Sequence, residues 1–118
     1  KEILISNAGH EPPLILSKDG KFSSFEESGP PLGIQGKIQY TEKVLPFSES
    51  SIYIFTDGIT EIKNPSGSML GAEGFKDYII KHQKTPNNKR LELIIDEVLQ
   101  SGRIQKDDLT ILVVDEKI

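Results

Sequence analysis

Cysteine is absent from all 118 residues, which excludes both a disulfide framework and a thiolate zinc site. There is also no apolar run approaching the length of a membrane span, and no signal-peptide pattern opens the chain. Basic residues are not in excess: 14 Lys and Arg against 18 Asp and Glu leave a net charge of −4. That balance argues against a nucleic-acid surface, which needs clustered cations. Two catalytic signatures are missing as well. No Gly-x-Ser-x-Gly elbow occurs, and neither histidine has a serine or acid partner by motif, so a Ser–His–Asp nucleophile is unsupported. No Gly-x-x-x-x-Gly-Lys loop is present to hold a nucleotide. The remaining composition, 36% hydrophobic and 27% charged, is that expected of a soluble cytoplasmic protein with one core. The mild acidic excess suits a cation-binding cleft and equally an ordinary solvated surface.

The first half of the chain reads as strands divided by turn signals. Glu2 to Ser6 and Leu14 to Ser17 flank the Gly9-His10 and Pro12-Pro13 break, and Lys18-Asp19-Gly20-Lys21 predicts a tight hairpin into Phe22 to Phe25. Ser28-Gly29-Pro30-Pro31 interrupts the sheet, because proline cannot donate to a central ladder. Ile38 to Leu45 alternates well enough for a half-buried strand, and Ile52 to Thr56 for a shorter, more buried one. Lys63 to Ser68 has loop chemistry that projects into solvent. Two helices follow. Phe75, Tyr78, Ile79 and His82 share a face within Ala72 to Gln83, and Leu91, Ile94, Ile95, Val98 and Leu99 form the stripe of a second, stopped by Ser101-Gly102. Such stripes usually pack against a sheet. Leu109 to Val114 then returns as a buried strand. The fold class expected is α+β, with antiparallel sheets and two amphipathic helices.

Chemistry concentrates at two strand ends. Ser51 to Phe55 runs into Thr56-Asp57-Gly58, and Lys106-Asp107-Asp108-Leu109-Thr110 precedes the apolar run Ile111 to Val114. Carboxylates at sheet ends suit Mg²⁺ or Mn²⁺, hard cations that prefer oxygen ligands. Two such metals can clamp a phosphoryl group and lower the pKa of a bridging water. Each motif has a plainer reading. Asp57-Gly58 is also a hairpin-turn sequence, and Asp107-Asp108 a turn before a strand.

The motifs occur in a particular order: Asn7-Ala8-Gly9-His10-Glu11-Pro12-Pro13-Leu14, Gly29-Pro30-Pro31-Leu32-Gly33-Ile34, Thr56-Asp57-Gly58-Ile59-Thr60-Glu61, Met69-Leu70-Gly71 and Asp107-Asp108-Leu109-Thr110. That series resembles the C-terminal half of the SpoIIE/RsbU-type serine/threonine phosphatases, the bacterial branch of the PP2C-like, metal-dependent (PPM) family. The resemblance implies a partial α-β-β-α sandwich across residues 1–118. It also departs from the family, whose upstream Asp-x-x-Gly-His segment bridges both metals and has no counterpart here. The expectation is that this chain is the second part of a longer phosphatase domain.

The resemblance assigns Asp57 and Asp107 as metal ligands and makes the nucleophile a metal-activated water, with no catalytic side chain. Gly58, lacking a β-carbon, lets backbone and hydrated metal approach closely. Asp108 is expected to order the turn. Glu61 either reaches a peripheral metal or its water, or is a helix N-terminal acid favoured by the dipole. His10 lies in the Ala-Gly-His turn, where a structural role, a place beside a metal and a proton-donor role all suit an imidazole. The implied activity is Mn²⁺- or Mg²⁺-dependent hydrolysis of phosphoserine or phosphothreonine on a regulatory protein. An anti-sigma-factor antagonist of bacterial partner switching is the type implied, with no nucleic acid or membrane contact. The isolated segment is expected to be inactive. The alternative is a non-catalytic binding module derived from such a phosphatase. A half-domain would also expose open strand edges and an apolar face, with Ile52, Ile54, Ile111 and Val113 as its expected lining, and so invite self-association.

Overall fold

Turn chemistry at Lys18-Asp19-Gly20 folds the chain into its first hairpin. Gly20 takes a φ of +83°, which a residue with a β-carbon would resist. Ser17 N–H then donates to Lys21 O and Gly20 N–H to Ser17 O, both at 3.0 Å. The computed structural model describes residues 1–26, 28–100 and 102–116. Its elements run β1 (Glu2–Ile5), β2 (Leu14–Leu16), β3 (Phe22–Ser24), β4 (Lys43–Pro46), β5 (Ser51–Phe55), α1 (Asp57–Thr60), α2 (Gly71–Lys81), α3 (Asn87–Gln100) and β6 (Ile111–Asp115). The expected α+β class holds. β1 pairs with β4, and a four-stranded sheet runs β3-β2-β5-β6. The β1–β4, β2–β3 and β2–β5 pairs are antiparallel.

Two compact units form. The first comprises residues 1–54 and the chain from Leu112 onward. Its core gathers Ile15, Phe47 and Ile52, with Ile3, Ile5, Leu45 and Ile54 packed against them. Leu14, Ile15 and Leu16 are all buried, as a strand covered on both faces requires. The second unit, Phe55–Ile111, holds the three helices. Within it Ile59, Phe75, Ile79, Ile94 and Val98 are fully buried. The Phe55 and Phe75 rings meet edge to face at 5.0 Å and 71°, a favoured aromatic geometry. The predicted helix faces are therefore the ones that pack. The predicted stop of α3 at Ser101-Gly102 falls partly outside the described residues, since Ser101 is not among them; Gly102 itself has a φ of +82°.

Three expectations need correction. The strand expected over Ile38 to Leu45 survives only as β4, from Lys43 to Pro46. Tyr40 explains the loss: its ring lies against Gly29 and its hydroxyl donates to Pro30 O at 2.5 Å, anchoring this stretch to a proline loop instead of a ladder. The last strand begins at Ile111, not Leu109, and is not buried. Its residues alternate between half-buried and exposed, with Leu112 and Val114 open to solvent. The open apolar face is also differently lined. Thr56 N–H donates to Thr110 O and Glu116 N–H to Ser50 O, so a constant antiparallel register sets Ile52 opposite Val114 and Ile54 opposite Leu112. Alternation then turns Ile111 and Val113 to the other face. Ile52, Ile54 and Val114 line an open apolar cleft of about 470 Å³ together with Ile3, Leu4 and Ile5.

The α2–α3 connection is held by polar groups that amphipathic periodicity does not reveal. Arg90, buried, donates from Nε and a terminal nitrogen to Thr85 O at 2.9 and 2.8 Å. Lys81 Nζ pairs with Glu97 at 2.7 Å. His82 Nε2 sits 3.1 Å from the other Glu97 oxygen, near enough for a hydrogen bond but not aligned for one. The Lys81 bond, and then the neighbouring His82, hold the Glu97 carboxyl below the ordinary carboxylate range, against a smaller opposing effect of burial.

Two outcomes follow. Phe75→Ala removes a fully buried ring and should cost about 3–5 kcal/mol of stability, measurable by urea unfolding; a change near zero would show that the ring is not core. Because the folded-state pKa of Glu97 is depressed, its stabilisation is present above its unfolded value and disappears as pH falls through the folded one. Stability measured from neutral to acid pH should therefore fall less steeply in Glu97→Gln than in the parent chain, and identical acid limbs would show that the clamp contributes nothing.

Candidate metal centre

The second unit opens where β5 ends. Thr56 is the N-cap of α1 by position, yet its side chain makes no cap bond. Its Oγ1 instead accepts the Thr110 N–H at 3.2 Å, while the Thr56 N–H donates to Thr110 O at 3.1 Å. These two bonds stitch the Thr-Asp-Gly segment to the Asp-Asp-Leu-Thr segment. Beside them, Gly58 is buried with its α-carbon against the Asp108 backbone. A β-carbon there would collide with the Asp108 carbonyl oxygen and approach its carbon to 3.0 Å. The structure gives Gly58 a packing reason that the sequence reading did not name: only glycine allows this approach of the Asp108 backbone.

The acids flank this stitch. Asp57 is the first residue of α1 and the acid of its first turn, with its side chain exposed. The Thr60 hydroxyl and the Glu61 N–H both bond to the Asp57 carbonyl, at 3.2 and 2.9 Å, closing the single helical turn. Glu61 is the C-cap of that turn. This corrects one of its two expected roles, since a C-terminal position gains nothing from the dipole that favours an N-terminal acid. Asp107 and Asp108 are exposed in the bend that follows. One Asp107 oxygen accepts the Asp108 N–H at 2.8 Å, and Gln105 Nε2 donates to Asp107 O at 3.1 Å. The side chain that holds this bend is therefore Asp107's, and Asp108 contributes its backbone N–H to that bond. Among the described residues, none of Asp57, Glu61, Asp107 and Asp108 forms an ion pair.

The donor chemistry of Asp57 and Asp107 fits a hard divalent cation, and both carboxylates keep lone pairs free for one. Their number falls short of a complete site: no group of three or more His, Cys, Asp or Glu is gathered tightly enough to hold a metal among the described residues. Asp57 and Asp107 by themselves offer two carboxylates.

His10 belongs to the first unit. It is exposed, with Nδ1 3.0 Å from Glu11 O, and its N–H donates to Asn7 Oδ1 at 2.8 Å. The organiser of this turn is Asn7, which sequence reasoning passed over. Buried, it donates from Nδ2 to His10 O at 3.1 Å and to Phe25 O at 3.4 Å, and accepts at its carbonyl from the Ser28 N–H at 2.8 Å. An asparagine directly before Ala-Gly was the available signal, since its side chain readily bonds to backbone a few residues on. Ala8 bridges Gly29, and Pro31 packs against Gly9. The Asn-Ala-Gly-His and Gly-Pro-Pro motifs are therefore one local structure.

The chain is similar to several known proteins. The family model described as Stage II sporulation protein E (SpoIIE) matches residues 1–117. Protein IcfG of Synechocystis sp. is 28% identical over 111 residues, covering 92% of this chain and 17% of that protein. Among solved structures, the SiaA-PP2C domain of Pseudomonas aeruginosa superimposes with a TM-score of 0.79 at 19% identity, over 98% of this chain and 46% of that one. The RsbU and RsbW domains of a Mycobacterium tuberculosis protein give 0.69 at 25% identity, over 95% and 31%. The phosphatase domain of SpoIIE from Bacillus subtilis gives 0.63 at 18% identity, over 98% and 55%. The chain thus spans about half or less of each of these proteins, and the fold it shares with them is the PP2C fold. With a family model matched along nearly its whole length, the chain belongs to the SpoIIE family.

Proposed function

We propose that the protein is a metal-dependent phosphatase acting on phosphoserine or phosphothreonine of a regulatory protein, an anti-sigma-factor antagonist being the type of substrate. The observation that carries this reading is the stitched pair of acidic turns, with Asp57 and Asp107 on either side of the Gly58–Asp108 contact. Family membership supports it, as does the phosphatase domain of SpoIIE among the structural neighbours. Asp57 and Asp107 would hold part of a Mn²⁺ or Mg²⁺ site. Divalent cations bound there supply charge for the phosphoryl oxygens and a water acidified enough to act as nucleophile.

The residues themselves have separate tasks. Asp57 presents its carboxylate from the first turn of α1, and the bonds from Thr60 and Glu61 to its carbonyl hold that turn in place. Asp107 uses one oxygen to hold its own bend and keeps acceptor capacity for a ligand. Gly58 sets the spacing between the two acids by permitting backbone contact. Thr56 and Thr110 hold the register. No side chain of this group is a nucleophile or a general acid.

In the full-length protein, Asp57→Asn should abolish most hydrolysis of a phosphoprotein, by about 10²-fold or more if a metal contact made in the transition state is lost. Its thermal unfolding should match the parent. Retained activity in this variant, or turnover undiminished in excess chelator, would contradict the assignment. The 118-residue chain alone should bind Mn²⁺ only weakly, because two carboxylates leave most of an octahedral shell to water. Titration calorimetry showing tight, stoichiometric binding would mean that the ligand set is already complete within these residues.

A further inference from the structure

Between the two acidic turns the chain builds a small three-stranded ribbon centred on Lys63. Lys63 bridges Met69 on one side and Ile104 on the other, both antiparallel. Asn64 N–H donates to Ser68 O and Leu70 N–H to Ile62 O, at 3.0 and 2.8 Å, so Lys63 and Met69 form a non-hydrogen-bonded pair, the closer of the two kinds. On the other edge Ile104 N–H donates to Lys63 O at 3.2 Å. Residues directly opposite across a ladder point to the same face. Met69, Lys63 and Ile104 therefore stand side by side, and that face is open: Met69 is 59% and Ile104 63% exposed, with Lys63 exposed between them.

The ribbon is held rigid. Asn64 Oδ1 accepts the N–H groups of Ser66 and Ser68 at 3.1 and 3.0 Å, and Pro65 packs on Gly102. A surface fixed beforehand loses little conformational freedom on binding. Its position follows from chain length: Ile62 lies just past the C-cap of α1, and Ile104 lies three residues before Asp107. Neither Lys63 nor Lys106 forms an ion pair among the described residues.

We infer that the Met69–Lys63–Ile104 face is where the phosphorylated protein substrate docks, an apolar patch on that protein covering Met69 and Ile104 while an acidic group beside it meets Lys63. Charge decides the occupant. The neighbouring carboxylates at Asp57, Asp107 and Asp108 repel an acidic phosphoprotein, and the exposed Lys63, set between two apolar side chains, offers the complementary contact. Rim charges of this kind act on encounter and KM more than on chemistry. The inference rests on the phosphatase reading above.

The test uses the full-length protein with two substrates, a phosphoserine-containing anti-sigma-factor antagonist from the same organism and para-nitrophenyl phosphate. Met69→Ser combined with Ile104→Ser should lower kcat/KM on the phosphoprotein by about tenfold, mostly through KM, as removal of central apolar contacts does. Lys63→Glu, a surface change that keeps the fold should the double variant not fold, should lower it too and weaken its salt dependence. Hydrolysis of para-nitrophenyl phosphate should be unchanged in both. Equal losses on the two substrates, unchanged turnover of the phosphoprotein, or an effect confined to self-association seen by light scattering would each overturn the docking role. If the parent protein hydrolyses neither substrate, the phosphatase reading fails separately. Docking is then decided by calorimetric binding of the phosphoprotein, and equal affinity for parent and variants would overturn it.

Discussion

Two hydrogen bonds between Thr56 and Thr110, with Gly58 pressed on the Asp108 carbonyl beside them, close a loop of more than fifty residues. Each bond contributes only about 0.5–1.5 kcal/mol net, and closing so long a loop has an entropic cost. The stitch therefore needs what lies inside it. Ile59, Phe75, Ile79, Ile94 and Val98 are fully buried within the second unit. At about 1.5–3 kcal/mol for each large aliphatic or aromatic side chain, their burial outweighs the two bonds. The core supplies the energy, and the stitch determines where two acidic turns end up. Neither arrangement would persist without the other.

Four exposed carboxylates, Asp57, Glu61, Asp107 and Asp108, flank one contact, and no cationic side chain pairs with any of them among the described residues. Some other acids of the chain are paired: Glu97 with Lys81, Glu49 with Lys18, and Glu116 with Lys1. Unpaired acids on backbone held by glycine packing and threonine bonds are what the proposed cation site would draw on. A ligand that binds only the folded arrangement stabilises it in proportion to the logarithm of its concentration once that exceeds Kd.

Helices and the first hairpin were legible because their signals are periodic or local. Phe75, Ile79 and His82 recur at helical spacing and are buried, and Asp19-Gly20 closes the turn its chemistry predicts. The two acidic turns were legible by motif, since their residue types and neighbours carry the information. What could not be read was set by partners distant in sequence. Tyr40 abandons a strand pattern because Gly29 and Pro30 receive it. Arg90 is buried in an otherwise polar first turn because Thr85 O accepts two of its nitrogens. The face presented by Ile111 and Val113 depended on a register fixed at Thr56–Thr110 and Ser50–Glu116, and a one-residue shift in such a register exchanges every side chain. Glu61 turned on the length of α1, which a four-residue helix does not announce.

A protein-binding module and a phosphatase make opposite demands on this unit. Binding alone is served by the Lys63 ribbon, which is rigid, apolar and basic at its surface, and gains nothing from a cluster of unpaired acids close along the chain. Those acids would repel the acidic partner that the ribbon suits. The proposed phosphatase would use both: the carboxylates to hold cations whose charge offsets the phosphoryl group, and a separate platform to draw a protein substrate in before that charge is engaged. Binding energy gathered at the ribbon, away from the reacting atoms, can then be used to position the phosphoryl group. The phosphatase reading proposed above finds a use for both the acidic turn pair and the exposed Lys63 face, and the binding-module reading for only one of them.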